Sequence, residues 1–115
     1  MHPMLTIEIV SDVVCPWCFI GTRRLETAVA MVRSQVPDFS YQKRWLPFFL
    51  NPDTPPEGEP YLPFLEHKFG SRAAVDALFG RIREAGRAYG IDYAFEKIEL
   101  RANTLRAHRL IHWAQ

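Results

Sequence analysis

The hydrophobic and polar positions of the 115-residue chain change their period twice in the first fifty residues, and the changes predict its elements. Leu5 to Val10 is a short β-branched run, typical of a buried strand. From Pro16 to Val36 the apolar positions recur every three or four residues, which predicts an α-helix. Phe39 to Phe48 alternates between two faces and predicts a second strand. Strand, helix and strand in this order predict a parallel βαβ unit with a right-handed crossover.

The next part of the chain predicts helices that follow a connection. Residues 51–63 are rich in proline and predict an extended segment that is neither strand nor helix. Tyr61 to Phe69 has the pattern of a short helix that Gly70 closes. Ser71 is a candidate N-cap for another helix, whose apolar positions recur up to Tyr89.

The last part of the chain predicts one more helix. Ile91 to Leu100 predicts a loop, and Asn103 or Thr104 is expected to cap a helix from Leu105 to Gln115. This helix still carries apolar residues where the sequence stops, so we expect the chain to be part of a longer domain. The predicted organisation is a βαβ unit over residues 1–50, a proline-rich connection over 51–63 and part of a helical domain over 64–115.

Composition excludes several classes of protein. A formal net charge of +1 gives no reason to expect nucleic acid or a membrane surface as a partner. No apolar run approaches the roughly 20 residues that span a bilayer. The N-terminus lacks the basic and apolar regions of a secretory signal, which predicts a cytoplasmic protein.

The chemistry is expected at Cys15 and Cys18, the two cysteines of the chain. A Cys-x-x-Cys pair between a strand and a helix is typical of a redox dithiol. Cys15 at the helix start is expected to have a lowered pKa and to act as the nucleophile, with Cys18 as the resolving thiol. Pro16 suits the first helical position, and Trp17 is expected at the rim as a contact for an incoming peptide.

Two other interpretations concern the same cysteines. His108 and His112, spaced i and i+4 on the last helix, could complete a Cys₂His₂ zinc site with Cys15 and Cys18, although the spacing between the pairs is far longer than in zinc fingers. The spacing therefore favours a dithiol without a metal. Asp12, three residues before Cys15, is either a turn-former or a buried proton acceptor for the thiols.

Three segments of the chain resemble one family. They are Ser11-Asp12-Val13-Val14-Cys15-Pro16-Trp17-Cys18-Phe19-Ile20-Gly21, Trp45-Leu46-Pro47-Phe48-Phe49-Leu50-Asn51-Pro52-Asp53 and Asn103-Thr104-Leu105-Arg106-Ala107-His108-Arg109-Leu110. Together they resemble the DsbA-like branch of the thioredoxin superfamily, and most closely the FrnE-type proteins. The resemblance implies an α/β fold in which a thioredoxin-like βαβ unit is followed by an inserted α-helical subdomain, with the thioredoxin core incomplete in this chain.

The resemblance also implies a function. It implies a thiol:disulfide oxidoreductase or isomerase that acts on protein thiols, with a redox-active Cys15–Cys18 disulfide, no bound cofactor and glutathione as a candidate reductant. The segment with Asn103, Thr104 and His108 is similar to one that approaches the active site in relatives.

Two alternatives stay open. Related 2-hydroxychromene-2-carboxylate isomerases and kappa-class glutathione transferases use glutathione and carry a serine where Cys15 stands. The other alternative is a non-catalytic, chaperone-like fragment, since the cis-proline loop that faces the thiols in the family is missing from this sequence. Without the later strands, Leu5 to Val10 is expected to be an exposed edge that forms a homodimer or a domain-swapped oligomer.

Overall fold

The computed structural model describes residues 4–115, which form two compact units. The first unit comprises the chain up to Leu50 together with Thr104–Gln115, and the second comprises Asn51–Asn103. None of the helices in the described part of the chain is long and apolar enough to cross a membrane.

The first unit is built on a parallel pair of strands. Its elements are strand β1 (Leu5–Ser11), helix α1 (Pro16–Gln35), strand β2 (Tyr41–Pro47) and the last helix of the chain, α4 (Leu105–Ala114). The two strands pair in parallel from Leu5 opposite Tyr41 to Ser11 opposite Pro47. The predicted βαβ unit is therefore confirmed, with boundaries within two residues of the expected ones.

Strand β1 is not buried as its composition predicts. Leu5 is 48% exposed and Val10 is 60% exposed. The reason is that, within residues 4–115, β1 pairs with β2 alone. An apolar strand at the edge of a sheet can pair with another chain, and the homodimer through β1 stays a prediction.

The second unit packs helices around stacked aromatic rings. Its elements are strand β3 (Glu59–Pro60), helix α2 (Tyr61–Phe69), helix α3 (Arg72–Arg87), a 3₁₀ turn (Phe95–Lys97) and strand β4 (Leu100–Arg101). Its buried apolar side chains are Leu65, Val75, Phe79, Ile82 and Phe95. The rings of Phe79 and Phe95 stack with centroids 4.2 Å apart. The helical pattern predicted after Ser71 is thus confirmed.

Two segments of this unit differ from the expectation. The proline-rich connection over 51–63 contains β3, which pairs antiparallel with β4. The predicted loop Ile91 to Leu100 contains the 3₁₀ turn and reaches β4. The β3–β4 pairing joins only two residues of each segment, so it leaves no periodic pattern in the sequence. Helix α2 has the predicted bounds, Tyr61–Phe69, and ends at Gly70 in the left-handed conformation.

Helix α4 corrects the predicted division of the chain. Its periodicity placed it with the helical region 64–115, whereas the structure groups it with the first unit. The His108 side chain reaches Asp12 just after β1, at 3.1 Å. The Gln115 amide accepts from the Trp45 N–H at 2.9 Å and donates to the Trp45 carbonyl at 2.7 Å. These bonds join residues far apart in sequence, so the pattern of the helix alone could not reveal them.

Candidate functional site

The turn between β1 and α1 places Cys15 at the N-cap of the helix. The Cys15 N–H donates to the Asp12 carbonyl at 3.1 Å, and the extended backbone of Cys15 (φ −92°, ψ 110°) directs its thiol over the first helical turn. The Cys15 Sγ accepts from the Cys18 N–H at 3.3 Å. Pro16 occupies the first turn, where its missing N–H costs no helical hydrogen bond. Cys15 and Cys18 thus lie at the start of a helix that follows a strand.

Both cysteines are free thiols and both are partly buried. The expected lowering of the pKa of Cys15 is wrong for this form of the protein. Burial of the thiol and the neighbouring Cys18 side chain raise the pKa of Cys15 to about 11, and the N–H groups of Cys18 and Trp17 offset this only in part. Desolvation disfavours the thiolate more than the helix start favours it.

Beneath the turn, Asp12 and His108 form a buried pair. Asp12 is 3% exposed and His108 is 7% exposed, with 3.1 Å between Asp12 Oδ1 and His108 Nε2. The other carboxylate oxygen, Oδ2, accepts from the Leu50 N–H at 2.9 Å. The ring of Phe49 packs edge-on against the imidazole with centroids 5.0 Å apart. The pair thus joins the turn after β1 to α4, and the segment after β2 holds it through Leu50 and Phe49.

The thiols and this pair line one cavity of about 320 Å³. Its titratable lining comes from Asp12, Cys15, Cys18, His108 and the exposed His112, and Ser11 and Thr22 add two hydroxyl groups. Apolar side chains form much of the rest of its wall, among them Val13, Phe19, Trp45, Leu46, Pro47 and Ile111. All of these residues belong to the first unit. The arrangement is a mostly apolar cavity with two thiols and a buried carboxylate–imidazole pair in its wall.

The remaining predicted site residues do not line this cavity. Trp17 is 45% exposed at the start of α1, consistent with a position at a rim. Thr104 is buried and begins α4, and its carbonyl accepts from the His108 N–H at 3.0 Å. Asn103 belongs to the second unit, where its amide donates to the Thr54 carbonyl at 2.7 Å. Thr104 thus meets the site only through this backbone bond in the first turn of α4, and its side chain makes no capping hydrogen bond.

The sequence missed several residues of the site. Leu50 contributes only a backbone N–H, and Phe49 contributes a ring contact, so neither carries a sequence signal. Ile111 lies three residues after His108, on the same face of α4. The i and i+4 spacing of His108 and His112, which the zinc alternative used, marks the face of the helix that meets the cavity.

The alternative zinc site is not assembled. Among residues 4–115 no three His, Cys, Asp or Glu side chains lie close enough together to hold a metal ion. Cys15, Cys18, His108 and His112 therefore do not form the Cys₂His₂ set that their spacing left open, although all four line the cavity.

Comparison with known proteins places this geometry in a family. The sequence profile of the DSBA-like thioredoxin domain matches residues 6–115. The chain belongs to this family. A DsbA-like thioredoxin domain has a mixed α/β fold, and the βαβ unit with its added helices is the part of that fold seen here. Comparison with curated proteins finds no match.

A solved structure is similar to almost the whole length of this DsbA-like chain. It is the crystal structure of a probable DsbA oxidoreductase from Streptomyces coelicolor, 28% identical in sequence, with a TM-score of 0.77. The match covers 96% of this chain and 46% of the Streptomyces chain. The chain thus spans less than half the length of that oxidoreductase.

Proposed function

We propose that this chain carries the reactive half of a thiol:disulfide oxidoreductase that acts on protein thiols. The observation that carries the proposal is the Cys15 thiol at the N-cap of α1, partly exposed and one helical turn from Cys18 on a shared cavity. A close dithiol with an accessible first sulfur is what disulfide exchange requires. Membership of the DsbA-like family and the likeness to a probable DsbA oxidoreductase support the same reaction class.

The exchange has two steps. The Cys15 thiolate attacks one sulfur of a substrate disulfide, forming a mixed disulfide and releasing the other substrate sulfur as a thiolate. Cys18 then attacks the Cys15 Sγ, so that the Cys15–Cys18 disulfide forms and the second substrate thiolate leaves. The two cysteines lose two electrons and the substrate disulfide gains them. The reverse sequence oxidises substrate thiols and leaves the protein as a dithiol. After the forward sequence, glutathione is the proposed thiol that reduces the Cys15–Cys18 disulfide back to the dithiol.

The finer assignment rests on sequence resemblance. We propose a FrnE-type protein, because segments around Cys15, Trp45 and His108 resemble that group in order along the chain. Cys15 stands where the glutathione-dependent isomerases and transferases carry serine, which supports dithiol exchange over glutathione transfer. Isomerase activity and a cytoplasmic location are part of the same proposal.

Insulin reduction tests the proposal. With dithiothreitol as the electron donor, the unmodified chain should accelerate precipitation of the insulin B chain. We expect Cys15→Ser to reduce the rate to that of dithiothreitol alone, because the attacking sulfur is gone. Cys18→Ser should stop after the first step and retain substrate as a mixed disulfide that mass spectrometry detects at Cys15. Equal insulin reduction by the unmodified chain and Cys15→Ser would refute the proposed function.

A further inference from the structure

Asp12 and His108 form a buried pair that disulfide exchange by two thiols does not by itself require. Both side chains are more than nine-tenths buried, and both line the cavity that holds the cysteines. Taking a carboxylate and an imidazole out of water costs free energy unless each group finds a partner. A pair held in such a place is a candidate for a role in the chemistry of the thiols.

The hydrogen bonds assign the proton on the imidazole. The Leu50 N–H can only donate, so Asp12 Oδ2 accepts from it at 2.9 Å. Asp12 Oδ1 lies 3.1 Å from His108 Nε2, and an ionised carboxylate can only accept a hydrogen bond. We therefore assign the ring proton to Nε2, which leaves Nδ1 as the basic nitrogen of the neutral ring. The edge-on contact with Phe49 holds the imidazole in this orientation.

We propose that His108, positioned by Asp12, takes the proton from the Cys18 thiol during the resolving step, across the cavity that both side chains line. The inference rests on the proposed function and deepens it. Once Cys15 is tied up in the mixed disulfide, Cys18 is the thiol of the cavity that must become a thiolate. A histidine held by a carboxylate is a suitable general base for that proton.

The proposed step balances in atoms and electrons. The S–H bond of Cys18 breaks and an N–H bond forms at Nδ1, so that the imidazolium lies beside the Asp12 carboxylate. The freed electron pair on sulfur forms the bond to Cys15 Sγ. The bond between Cys15 and the substrate sulfur breaks, and its electron pair leaves with the substrate. The imidazolium then passes its proton to that thiolate or to solvent.

The charges around the cavity agree with this role. Its titratable side chains are Asp12 from the turn after β1, Cys15 and Cys18 from α1, and His108 and His112 from α4. Strand β2 lines it with Trp45, Leu46 and Pro47, which do not titrate. Among residues 4–115, Asp12 is the one carboxylate that lines the cavity, and its contact with His108 compensates the charge that the proton brings. Burial raises the pKa of Cys15 to about 11, so the Cys15 thiol of the reduced chain is largely protonated near neutral pH.

Quenched-flow kinetics with oxidised glutathione as the probe test the proposal. Reduced protein is mixed with the probe between pH 5 and 10 and quenched in acid, and mass spectrometry separates the Cys15–glutathione mixed disulfide from the Cys15–Cys18 disulfide. In the unmodified chain we expect the resolving rate to rise as a histidine loses its proton and then to level off. His108→Gln should resolve about 10²-fold more slowly at pH 7, accumulate the mixed disulfide and gain about tenfold in rate per pH unit.

Two further variants make the test specific. His67→Gln removes an exposed histidine from α2 in the second unit and should leave the pH profile unchanged. Asp12→Asn keeps an oxygen for the Leu50 N–H but turns an amide N–H₂ toward Nε2, which moves the ring proton to Nδ1 and should slow resolution while His108 is still present. Because this variant keeps the imidazole and an acceptor for the Leu50 N–H, slower resolution in it indicates the displaced ring proton and not a missing side chain.

The outcomes distinguish the inference from the proposed function. If the unmodified chain forms no mixed disulfide at Cys15, both fail. If it forms and resolves the mixed disulfide, but its resolving rate climbs tenfold per pH unit to pH 10 without levelling off, the inference fails and the function stands. The inference also fails, and the function again stands, if folded His108→Gln has the pH profile of the unmodified chain. The pH profile of the unmodified chain needs no variant, so it tests the inference even if the His108→Gln chain does not fold.

Discussion

Helices α1 and α3 begin in the same way but with different atoms at the cap. In α1 the Cys15 Sγ accepts from the Cys18 N–H at 3.3 Å, and in α3 the Ser71 Oγ accepts from the Ala74 N–H at 3.1 Å. Serine is among the best N-cap residues, whereas a thiol is a weak acceptor. The first unit therefore gives up capping strength where it places its reactive sulfur.

The two helices also differ in what they bury. Helix α3 has 16 residues and buries Val75, Phe79, Ile82 and Gly86. Helix α1 has 20 residues but buries only Ile20 and Val29. Of α1, the cavity takes Cys18, Phe19 and Thr22, whereas Met31 and Val32 are exposed away from it. Among the described residues, the larger set of buried side chains lies in the second unit, and the cysteines lie in the first.

The largest expected effect is on the stability of the second unit. Phe79→Ala should lower the free energy of unfolding by about 3–5 kcal/mol, because it removes a buried ring stacked on Phe95. Phe69→Ala, in the same unit but 42% exposed, is the matched control and should cost less than about 1 kcal/mol. Urea unfolding measures both variants, and hydrogen exchange should report the loss in α3. Equal losses for the two phenylalanines would show that the stacked rings do not hold this unit together.

The next largest effect is on the alkylation rate of Cys15, the thiol that caps α1. Alkylation of Cys15 by iodoacetamide should accelerate about 100-fold between pH 7 and pH 9, because its pKa of about 11 keeps the thiolate fraction rising throughout that range. Ser71→Cys places a thiol at the exposed cap of α3, away from a second cysteine, and its alkylation should level off at a lower pH. Residue-resolved mass spectrometry follows both sites. A Cys15 rate that levels off near neutral pH would contradict a raised pKa.

The same pKa has a consequence for stability. The folded chain keeps the Cys15 proton up to about pH 11, whereas an unfolded chain releases it near pH 9. Between these values the folded state binds more protons, so stability falls as pH rises through the window and is unaffected below it. Cys15→Ser should lack this part of the pH dependence.

The smallest expected effect is on the free energy of unfolding when the cap residues Cys15 and Ser71 are replaced. Cys15→Ser should raise the free energy of unfolding at pH 7 by up to about 1 kcal/mol, because a hydroxyl caps α1 better than a thiol. Ser71→Ala should lower it by about 1 kcal/mol, because the Ala74 N–H loses its acceptor. Thermal or urea unfolding of the two variants measures the pair. A loss of stability in Cys15→Ser would mean that the thiol packs better than it caps.

Sequence reasoning succeeded where the signal is local. Strands β1 and β2, helix α1 and the cap at Cys15 follow from short-range pattern, because period and cap chemistry act over a few residues. The parallel pairing of the strands followed from their order around a helix, which restricts the connection. It failed where two distant segments meet. The pairing of Glu59 with Arg101 and the bonds of Gln115 to Trp45 join segments that carry no common pattern.

The candidate site divides in the same way. The sequence by itself determined that Cys15 and Cys18 lie one turn apart at the start of a helix, because the residues between them specify a turn and a first helical position. Only the tertiary structure decided that Asp12 pairs with His108, 96 residues away, and that both line the cavity of the thiols. It also decided the direction of the pKa of Cys15, since desolvation depends on what covers the sulfur and not on its neighbours in the chain.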